Sequence, residues 1–264
     1  MEIVKKHKDV SISFTGTTDL MNYVDTHGRK KGKSRSIRSD SFCPYTWDST
    51  INSFTHGWKG SESIKVNADR ISNMGPHTGY GTEYAVTGDF IDVGAFLSGV
   101  PECWGSVIEE PKAMKKARIL IDGATHGGME AENIENRGSA IIALIDSLRN
   151  SGHYLEVTIM DTAKGVGPKD LNISTSITFE TNNSYSRDVL AFSVAHPGML
   201  RRLIFAVMEA YTKKDDLDGY GSCGTLNPDG YDIFIKPTHQ GNWRTIDQAK
   251  KNIETIIEDY ERGH

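Results

Sequence analysis

The sequence predicts an α/β fold in which helices cover both faces of a partly parallel, Rossmann-like sheet, behind an irregular N-terminal region rich in aromatic residues and glycine. Two observations predict it. From residue 117 onward, short apolar runs alternate with segments of helical periodicity, a pattern typical of three-layer α/β folds. Before residue 116, glycines and clusters of charge interrupt the periodic stretches. We therefore divide the chain into an N-terminal region, 1–115, and an α/β region, 116–264, packed as one unit.

The N-terminal region contains short elements separated by loops. Alternation of apolar and polar residues at Val10, Ile12 and Phe14 predicts a first strand. The stretch 27–41 is rich in glycine, serine, lysine and arginine, so we expect an exposed loop there. The other predicted elements are a short helix over 18–23, a helix over 47–58, a strand over 84–90, a short helix over 92–99 and an extended segment over 100–104.

The α/β region begins with a βαβ unit. An apolar run at 117–122 is followed by a glycine-rich turn, a helix over 130–150 and a second strand at 154–160. Strands joined in this way run parallel. The later predicted elements are an antiparallel edge strand at 172–181, a buried strand at 189–194, a helix over 198–211, a short strand at 233–235 and a terminal helix opened by a capping box of Thr245 and Gln248.

Composition excludes several classes of protein. Hydrophobic residues make up 37% and charged residues 25% of the 264 residues, which is typical of a folded globular chain. No run of about 18 apolar residues is present, and no apolar stretch follows the first residues, so we expect no transmembrane helix, no signal peptide and a cytoplasmic location. The wide spacing of Cys43, Cys103 and Cys223 argues against a disulfide framework or a structural zinc site.

Charge is unevenly distributed along the chain, and this unevenness is the main indication of function. The net charge of −5 excludes a simple basic coat for nucleic acid. Residues 29–38 nevertheless contain six basic residues and no acid, and an aromatic stretch follows them. Basic side chains bind phosphates, and exposed aromatic rings stack on unpaired bases. We therefore predict a single-stranded nucleic-acid site formed by Arg29, Lys30, Lys31, Lys33, Arg35, Arg38, Tyr45 and Trp47.

The end of the first strand of the βαβ unit is a second candidate site, because ligands of open α/β sheets bind at the carboxyl ends of strands. Asp122 and the short polar turn after it resemble the Asp-x-Ser-x-Ser metal site of von Willebrand factor A domains, whose order of elements is also similar. Ala124 and His126 occupy the two serine positions. Since alanine cannot ligate and imidazole suits transition metals, the resemblance implies a degenerate domain without a metal cofactor. A divalent metal, if bound, would be held by Asp122, His126 and Asp161.

Three further motifs resemble a largely uncharacterised family of phage-encoded proteins. They are Asp92-Val93-Gly94-x-Phe96-Leu97-x-Gly99-x-Pro101-Glu102-Cys103, Asn136-Arg137-Gly138-x-Ala140 and His196-Pro197-x-x-Leu200-Arg201-Arg202. Among short-tailed phages that encode their own RNA polymerase, a protein of similar size binds single-stranded DNA and recruits that polymerase. The resemblance implies a non-enzymatic accessory protein of the host cytoplasm, whose α/β body docks a protein partner such as the phage RNA polymerase.

The sequence leaves other functions open. One alternative is a von Willebrand A-type protein-interaction module that binds no nucleic acid and uses the strand ends of the second candidate site. Another is a metal-dependent phage hydrolase at the same residues. A covalent enzyme, with Cys43 or Cys103 paired with a histidine or Ser193 with His196, is less favoured, because no nucleophile elbow, kinase signature or Walker loop is present.

Overall fold

The strands of the protein form a main sheet and a small sheet. The computed structural model describes residues 1–26, 43, 45–58, 60–71, 79–110, 115–125, 129–167, 169–181, 186–213, 220–240 and 243–263. Its strands are β1 (Glu2–Lys6), β2 (Asp9–Phe14), β3 (Gly79–Ala85), β4 (Phe90–Ile91), β5 (Trp104–Glu110), β6 (Lys115–Asp122), β7 (His153–Val166), β8 (Leu171–Glu180), β9 (Ser222–Cys223) and β10 (Ile233–Ile235). The small sheet consists of β3, β5 and β4, in that order, and the other strands form the main sheet.

The helices include every helix that the sequence predicts and two that it does not. They are α1 (Thr17–Thr26), α2 (Trp47–His56), α3 (Ser61–Ile71), α4 (Val93–Leu97), α5 (Ala131–Asn150), α6 (Arg187–Ala195), α7 (Phe205–Thr212) and α8 (Ile246–Gly263). A π-helix, Met199–Ile204, leads directly into α7. The helices not predicted are α6, where the sequence predicts a strand, and α3. In α3, Ile64, Ala68 and Ile71 recur on the buried side at helical spacing.

The order of strands in the main sheet is β1-β2-β8-β7-β6-β10, with β9 beside the end of β7. β6, β7 and β10 are parallel, which confirms the predicted βαβ unit of β6, α5 and β7. β8 runs antiparallel to β7, as predicted, but it is not an edge strand, because β2 pairs with its other side. The prediction of an edge strand over 172–181 was wrong, since alternation reports one polar face and not the number of neighbouring strands.

The two faces of the main sheet differ in polarity. On one face, apolar side chains such as Ile12, Ile119 and Val157 join those of the helices in a single buried cluster. The described helices other than α4 contact one another as one connected layer around α5. The opposite face carries hydroxyl pairs such as Thr158 and Thr178, whose oxygens lie 3.0 Å apart. The predicted α/β class is therefore confirmed, whereas the layering of a von Willebrand A domain is not confirmed.

Residues 189–194 belong to helix α6, so the prediction of a buried strand there was wrong. A short apolar run does not distinguish a buried strand from a buried helix, and all residues from Leu190 to Ala195 are buried, with α2, α3 and α5 packed against the helix. Ser186 caps α6 by accepting the N–H of Val189 at 3.4 Å. No single helix within the described ranges is long and apolar enough to cross a membrane, and only α6 with the following helical stretch, bent by 78°, reaches that length and composition together.

Two further predictions are corrected in detail. The strand expected over 84–90 is two strands, β3 and β4, which pair with opposite sides of β5, and β5 begins only at the end of the extended segment predicted over 100–104. At α8, Thr245 accepts the N–H of Gln248 at 3.3 Å. The side-chain oxygen of Gln248 has no partner among the described residues, so only one half of the predicted capping box forms.

Gly138 allows α5 to approach α6 closely. A Cβ atom at this position would lie 2.5 Å from the Cβ of Ala195, which is shorter than any stable carbon–carbon contact. Replacing glycine by alanine inside a helix normally stabilises it by about 1 kcal/mol. We expect Gly138→Ala to destabilise the protein by about 1–3 kcal/mol instead, because the two helices must separate. Urea unfolding measures the sign and size of this change.

The control is the double variant Gly138→Ala, Ala195→Gly, in which the two methyl groups no longer meet. Its decrease in stability should be smaller than the sum of the decreases in the two single variants, because the steric clash is removed. A Gly138→Ala variant more stable than the wild type would contradict the close approach of the helices.

Candidate functional site

A cavity of about 510 Å³ opens at the carboxyl end of β6, beside the middle of the longer strand β7, where the sequence places its second candidate site. Ile121 and Ile159 of the sheet line one side of it, and α5, the end of α6 and the π-helix line the others. Its size is within the range of small-molecule pockets. Its polar and aromatic lining consists of Tyr45, Trp58, Thr125, Glu135, Arg137, Asp161, Ser193, His196 and Arg201.

Arg137 holds the ends of two parallel strands against α5. Its guanidinium donates to the backbone carbonyl of Asp122 at 2.7 Å and to that of Lys236, which follows β10, at 2.9 and 3.2 Å. The side chain is only 2% exposed. Burial lowers the pKa of Arg137 to about 10, with the charge of Asp122 acting in the opposite direction, so the guanidinium stays protonated at neutral pH.

Two buried carboxyl groups lie close enough at this end of the sheet to influence each other. Burial raises the pKa of Asp122, while the N–H of Ala124, donated at 2.9 Å, and the charges of Arg137 and His239 lower it. Burial, and then the charge of Asp122, raise the pKa of Asp161 to about 7, against the effect of Arg201.

Asp161 differs from Asp122 in how its carboxyl group is satisfied. Asp122 is held by the N–H of its own turn. Asp161 is 6% exposed and lines the cavity, and among the described residues no group donates a hydrogen bond to its carboxyl oxygens. The cavity therefore contains a buried acid whose hydrogen-bonding capacity is unused by the described part of the protein.

His196 forms an aromatic wall of the cavity. Its Nδ1 accepts the N–H of Gly198 at 2.9 Å, which places the ring proton on Nε2. The ring stacks on Phe192, with centroids 4.5 Å apart, and contacts Tyr45 and Trp58 at 4.2 and 4.9 Å. Burial lowers the pKa of His196 to about 3, so the imidazole is neutral and acts as an aromatic surface.

Arg202 fixes the chain that carries Tyr45. Its guanidinium is fully buried and donates to the backbone carbonyl of Cys43 at 2.6 Å and to that of Tyr45 at 3.2 Å. These bonds satisfy two carbonyl groups that precede the start of α2. They set the position from which the Tyr45 ring contacts His196.

The predicted nucleic-acid residues are only partly described. Tyr45 is 38% exposed and lies at the cavity, whereas Trp47 is half-buried and packs against the core. The other predicted residues lie outside the described residues, and these are Arg29, Lys30, Lys31, Lys33, Arg35 and Arg38.

The predicted metal ligands are also only partly described. Asp122 and Asp161 lie at the same edge of the sheet, and His126 lies outside the described residues. Within the described ranges, no group of three or more His, Cys, Asp or Glu side chains is arranged to hold a metal ion. The hydroxyl group of Ser193, a candidate nucleophile, donates to the carbonyl of Val189 at 2.7 Å.

Four side chains that build the site are not among the predicted binding residues: Arg137, His196, Arg201 and Arg202. Of these, His196 was considered only as a partner of Ser193 in the less favoured covalent enzyme. All four belong to the Asn136 and His196 motifs, so these motifs meet at the cavity although about 60 residues separate them in the sequence. One signal was present for Arg137, because it stands between the apolar residues of α5 at helical spacing. A charge on an apolar helical face indicates a buried partner.

Fold and site together define a mixed α/β protein with an aromatic and acidic cavity at the carboxyl ends of parallel strands. The chain belongs to a family described as a domain of unknown function, DUF7192, whose model matches residues 2–261. Comparison with curated proteins and with solved structures finds no match to either.

The buried acid makes the stability of the protein depend on pH. The folded state binds the Asp161 proton more tightly than the unfolded chain, in which aspartate titrates near 3.8. The free energy of unfolding therefore falls as the pH rises from about 4 to about 7. The difference between the two pKa values of Asp161 corresponds to a loss of about 4 kcal/mol. We expect Asp161→Asn to unfold at a higher temperature than the wild type at pH 8, and the difference to vanish near pH 4.

Thermal unfolding at pH 4, 6 and 8 checks this expectation. The matched control is Asp25→Asn, an exposed carboxyl group of α1, which should show no gain that grows with pH. Equal unfolding temperatures for the wild type and Asp161→Asn at pH 8 would show that the carboxylate is not desolvated.

Proposed function

We propose that the protein binds single-stranded nucleic acid and recruits a protein partner, such as the RNA polymerase of a short-tailed phage, in the cytoplasm of the host and without a cofactor. The observation that carries the proposal is the position of Tyr45. Its half-exposed ring lies at the cavity, seven residues after the basic segment 29–38. Because only a few residues separate them in the sequence, one bound strand can contact both the basic segment and this ring.

Tyr45 is suited to stack on a base because its position is fixed from two sides. Arg202 binds its backbone carbonyl, and its ring packs against His196. An aromatic ring that is already ordered loses little conformational entropy on binding. Stacking of one base on such a ring contributes about 1–3 kcal/mol.

The cavity favours single strands over duplexes. A base enters a recess lined by Tyr45, Trp58 and His196 only when it is neither paired nor stacked in a helix. The six charges of the basic segment act on phosphates of either form. We therefore expect the basic segment to provide most of the binding affinity and the cavity to provide the preference for unpaired bases.

The basic segment is tested by the salt dependence of binding. Changing Lys30, Lys31, Lys33 and Arg35 to Ser should weaken binding to a labelled single strand. It should also reduce the slope of log K against log salt concentration by about 0.7 for each phosphate that the variant no longer neutralises. Tyr45→Ala should weaken binding with an unchanged slope, because stacking releases no counterions. Fluorescence anisotropy with a single strand and a duplex of the same sequence, at several salt concentrations, measures both effects.

The matched control for this experiment changes four exposed lysines elsewhere to Ser and therefore has the same net charge; these are Lys5, Lys6, Lys115 and Lys251. It should retain most of the affinity and the slope. Absence of binding by the wild type at low salt, or an equal effect of the two fourfold variants, would contradict the proposed site.

The small sheet supports the recruitment of a protein partner. By strand register Tyr84, Phe90 and Val107 share one face of it, and all three are exposed, as are Phe96 and Leu97 of α4, the latter at 79%. The segment 79–110 contains six acidic residues and no lysine or arginine. Such a surface repels phosphates, and exposed apolar clusters mark contacts with proteins.

Partner recruitment is tested by removing apolar side chains from α4. Phe96→Ser with Leu97→Ser should weaken binding to a short-tailed phage RNA polymerase, measured by biolayer interferometry, and leave single-strand binding unchanged. Ile3→Ser with Val4→Ser, an exposed apolar pair of β1, is the control and should bind the polymerase like the wild type. A polymerase that binds both double variants equally would contradict this role of the small sheet.

A further inference from the structure

A carboxyl group that lines the cavity and a hydroxyl group next to it, which does not, have no hydrogen-bond partner among the described residues. The carboxyl group of Asp161 lines it and receives no hydrogen bond from the described residues. Directly opposite Asp161 in the pairing of β7 and β8, the buried hydroxyl of Thr175 also has no partner among them. Buried polar groups are normally satisfied, because desolvation without a hydrogen bond costs free energy. A ligand with N–H donors would satisfy the carboxylate.

We propose that the cavity binds a guanine base, whose N1–H and N2 amino group donate to the two carboxylate oxygens of Asp161. The inference rests on the proposed function in taking the ligand from nucleic acid or its nucleotides. The bound guanine belongs either to a single strand or to a free nucleotide. Titrations with nucleotides and with single strands distinguish these two sources.

The walls of the cavity fit the planar shape of a base. The rings of Tyr45, Trp58 and His196 meet there, and His196 is held neutral and stacked on Phe192. Aromatic rings stack on the face of any base, so these walls select for planarity and not for identity. The identity of the base must therefore be recognised by a polar group of the protein that contacts the edge of the base.

Asp161 selects guanine because of the pattern of donors on the edges of the bases. An ionised carboxylate offers acceptors only. Guanine presents two adjacent N–H donors on its Watson–Crick edge, whereas adenine and cytosine present one donor beside an acceptor, and uracil and thymine one donor between two carbonyls. Any base except guanine therefore places a lone pair against a carboxylate oxygen. A site that binds through paired polar groups rejects ligands that leave them unpaired.

The charges around Asp161 suit the remainder of a guanine nucleotide. Among the described residues, several ionisable groups face Asp161 or share its cavity; they are Asp122 of β6, Cys223 of β9, Glu135 and Arg137 of α5, Arg201 of the π-helix, His196 and Tyr45. The donors of Arg137 bind backbone carbonyls. Arg201 lies against the ring of Phe205, with 5.5 Å between its Cζ atom and the ring centroid, and it lines the same cavity.

The test is a calorimetric titration of the full chain with GMP, AMP, CMP and UMP at pH 8, where Asp161 is ionised. We expect GMP to bind at least about tenfold more tightly than the other three nucleotides. Asp161→Asn should lose this preference, because an amide presents a donor to one of the two guanine donors. Asp25→Asn should keep it. The thermal unfolding described above shows whether Asp161→Asn is folded, so a loss of binding is not mistaken for unfolding.

The second arm compares an oligo(dT) strand with the same strand carrying one dG. Tighter binding of the dG strand, abolished in Asp161→Asn, supports the inference with the strand as its source. GMP binding without any strand binding supports the cavity as a guanine site and overturns the proposed function. Strand binding with no preference for dG, together with equal binding of all four nucleotides or none, overturns the guanine site and leaves the proposed function standing.

Discussion

The guanidinium of Arg137 donates to the carbonyls of Asp122 and Lys236, and this interaction joins the ends of β6 and β10 to α5. Strand ends normally leave carbonyl groups to water. Here one buried cation satisfies two of them from the helix that connects β6 to β7. The turn after Asp122, the first turns of α5 and the cavity between them all take their positions from this contact. The cost of burying the guanidinium, visible in its lowered pKa, is offset by these bonds and by the nearby Asp122.

The opposite side of the cavity depends on the π-helix that follows α6. Two adjacent arginines of this helix serve different purposes, since Arg201 lines the cavity and Arg202 points into the core to bind the segment of Cys43 and Tyr45. Single π-helical turns are frequent at functional sites. Gly138 completes the arrangement by allowing α5 to lie close to the residue before His196. Two short motifs thus place charge and aromatic surface on either side of one recess.

Local sequence patterns predicted the βαβ unit, most helices and the carboxylates at the edge of the sheet, because each leaves a periodic or terminal signal. They failed for 189–194, where every residue except Ser193 is apolar and no helical periodicity is visible. They failed for the position of β8, because its neighbour β2 lies about 160 residues earlier. Local patterns could not predict the cavity either, because His196 and Arg137 come together only when α6 packs on α5. Pattern reasoning identifies elements, whereas this site is made by contacts between elements.

Asp161 is a position at which another residue would make the protein more stable. Its neighbours on the same face of the sheet, Ile159, Ala163 and Ile177, are apolar and buried in the core. An apolar residue at 161 would extend that core and avoid the desolvation that raises the pKa of the carboxyl group to about 7. Positions that break the local pattern at a cost in stability are typical of functional sites.

Other buried ionisable side chains in the described protein have structural explanations that Asp161 lacks. Arg137 and Arg202 bind backbone carbonyls. Glu209 accepts the hydroxyl of Tyr220 and so holds the chain that leads into β9. Each of these charges is compensated within the fold, and removing it would leave a buried partner unpaired. Among the described residues no group donates a comparable hydrogen bond to the carboxyl group of Asp161, which borders an open cavity. This difference is the reason for looking for the function of the cavity at Asp161.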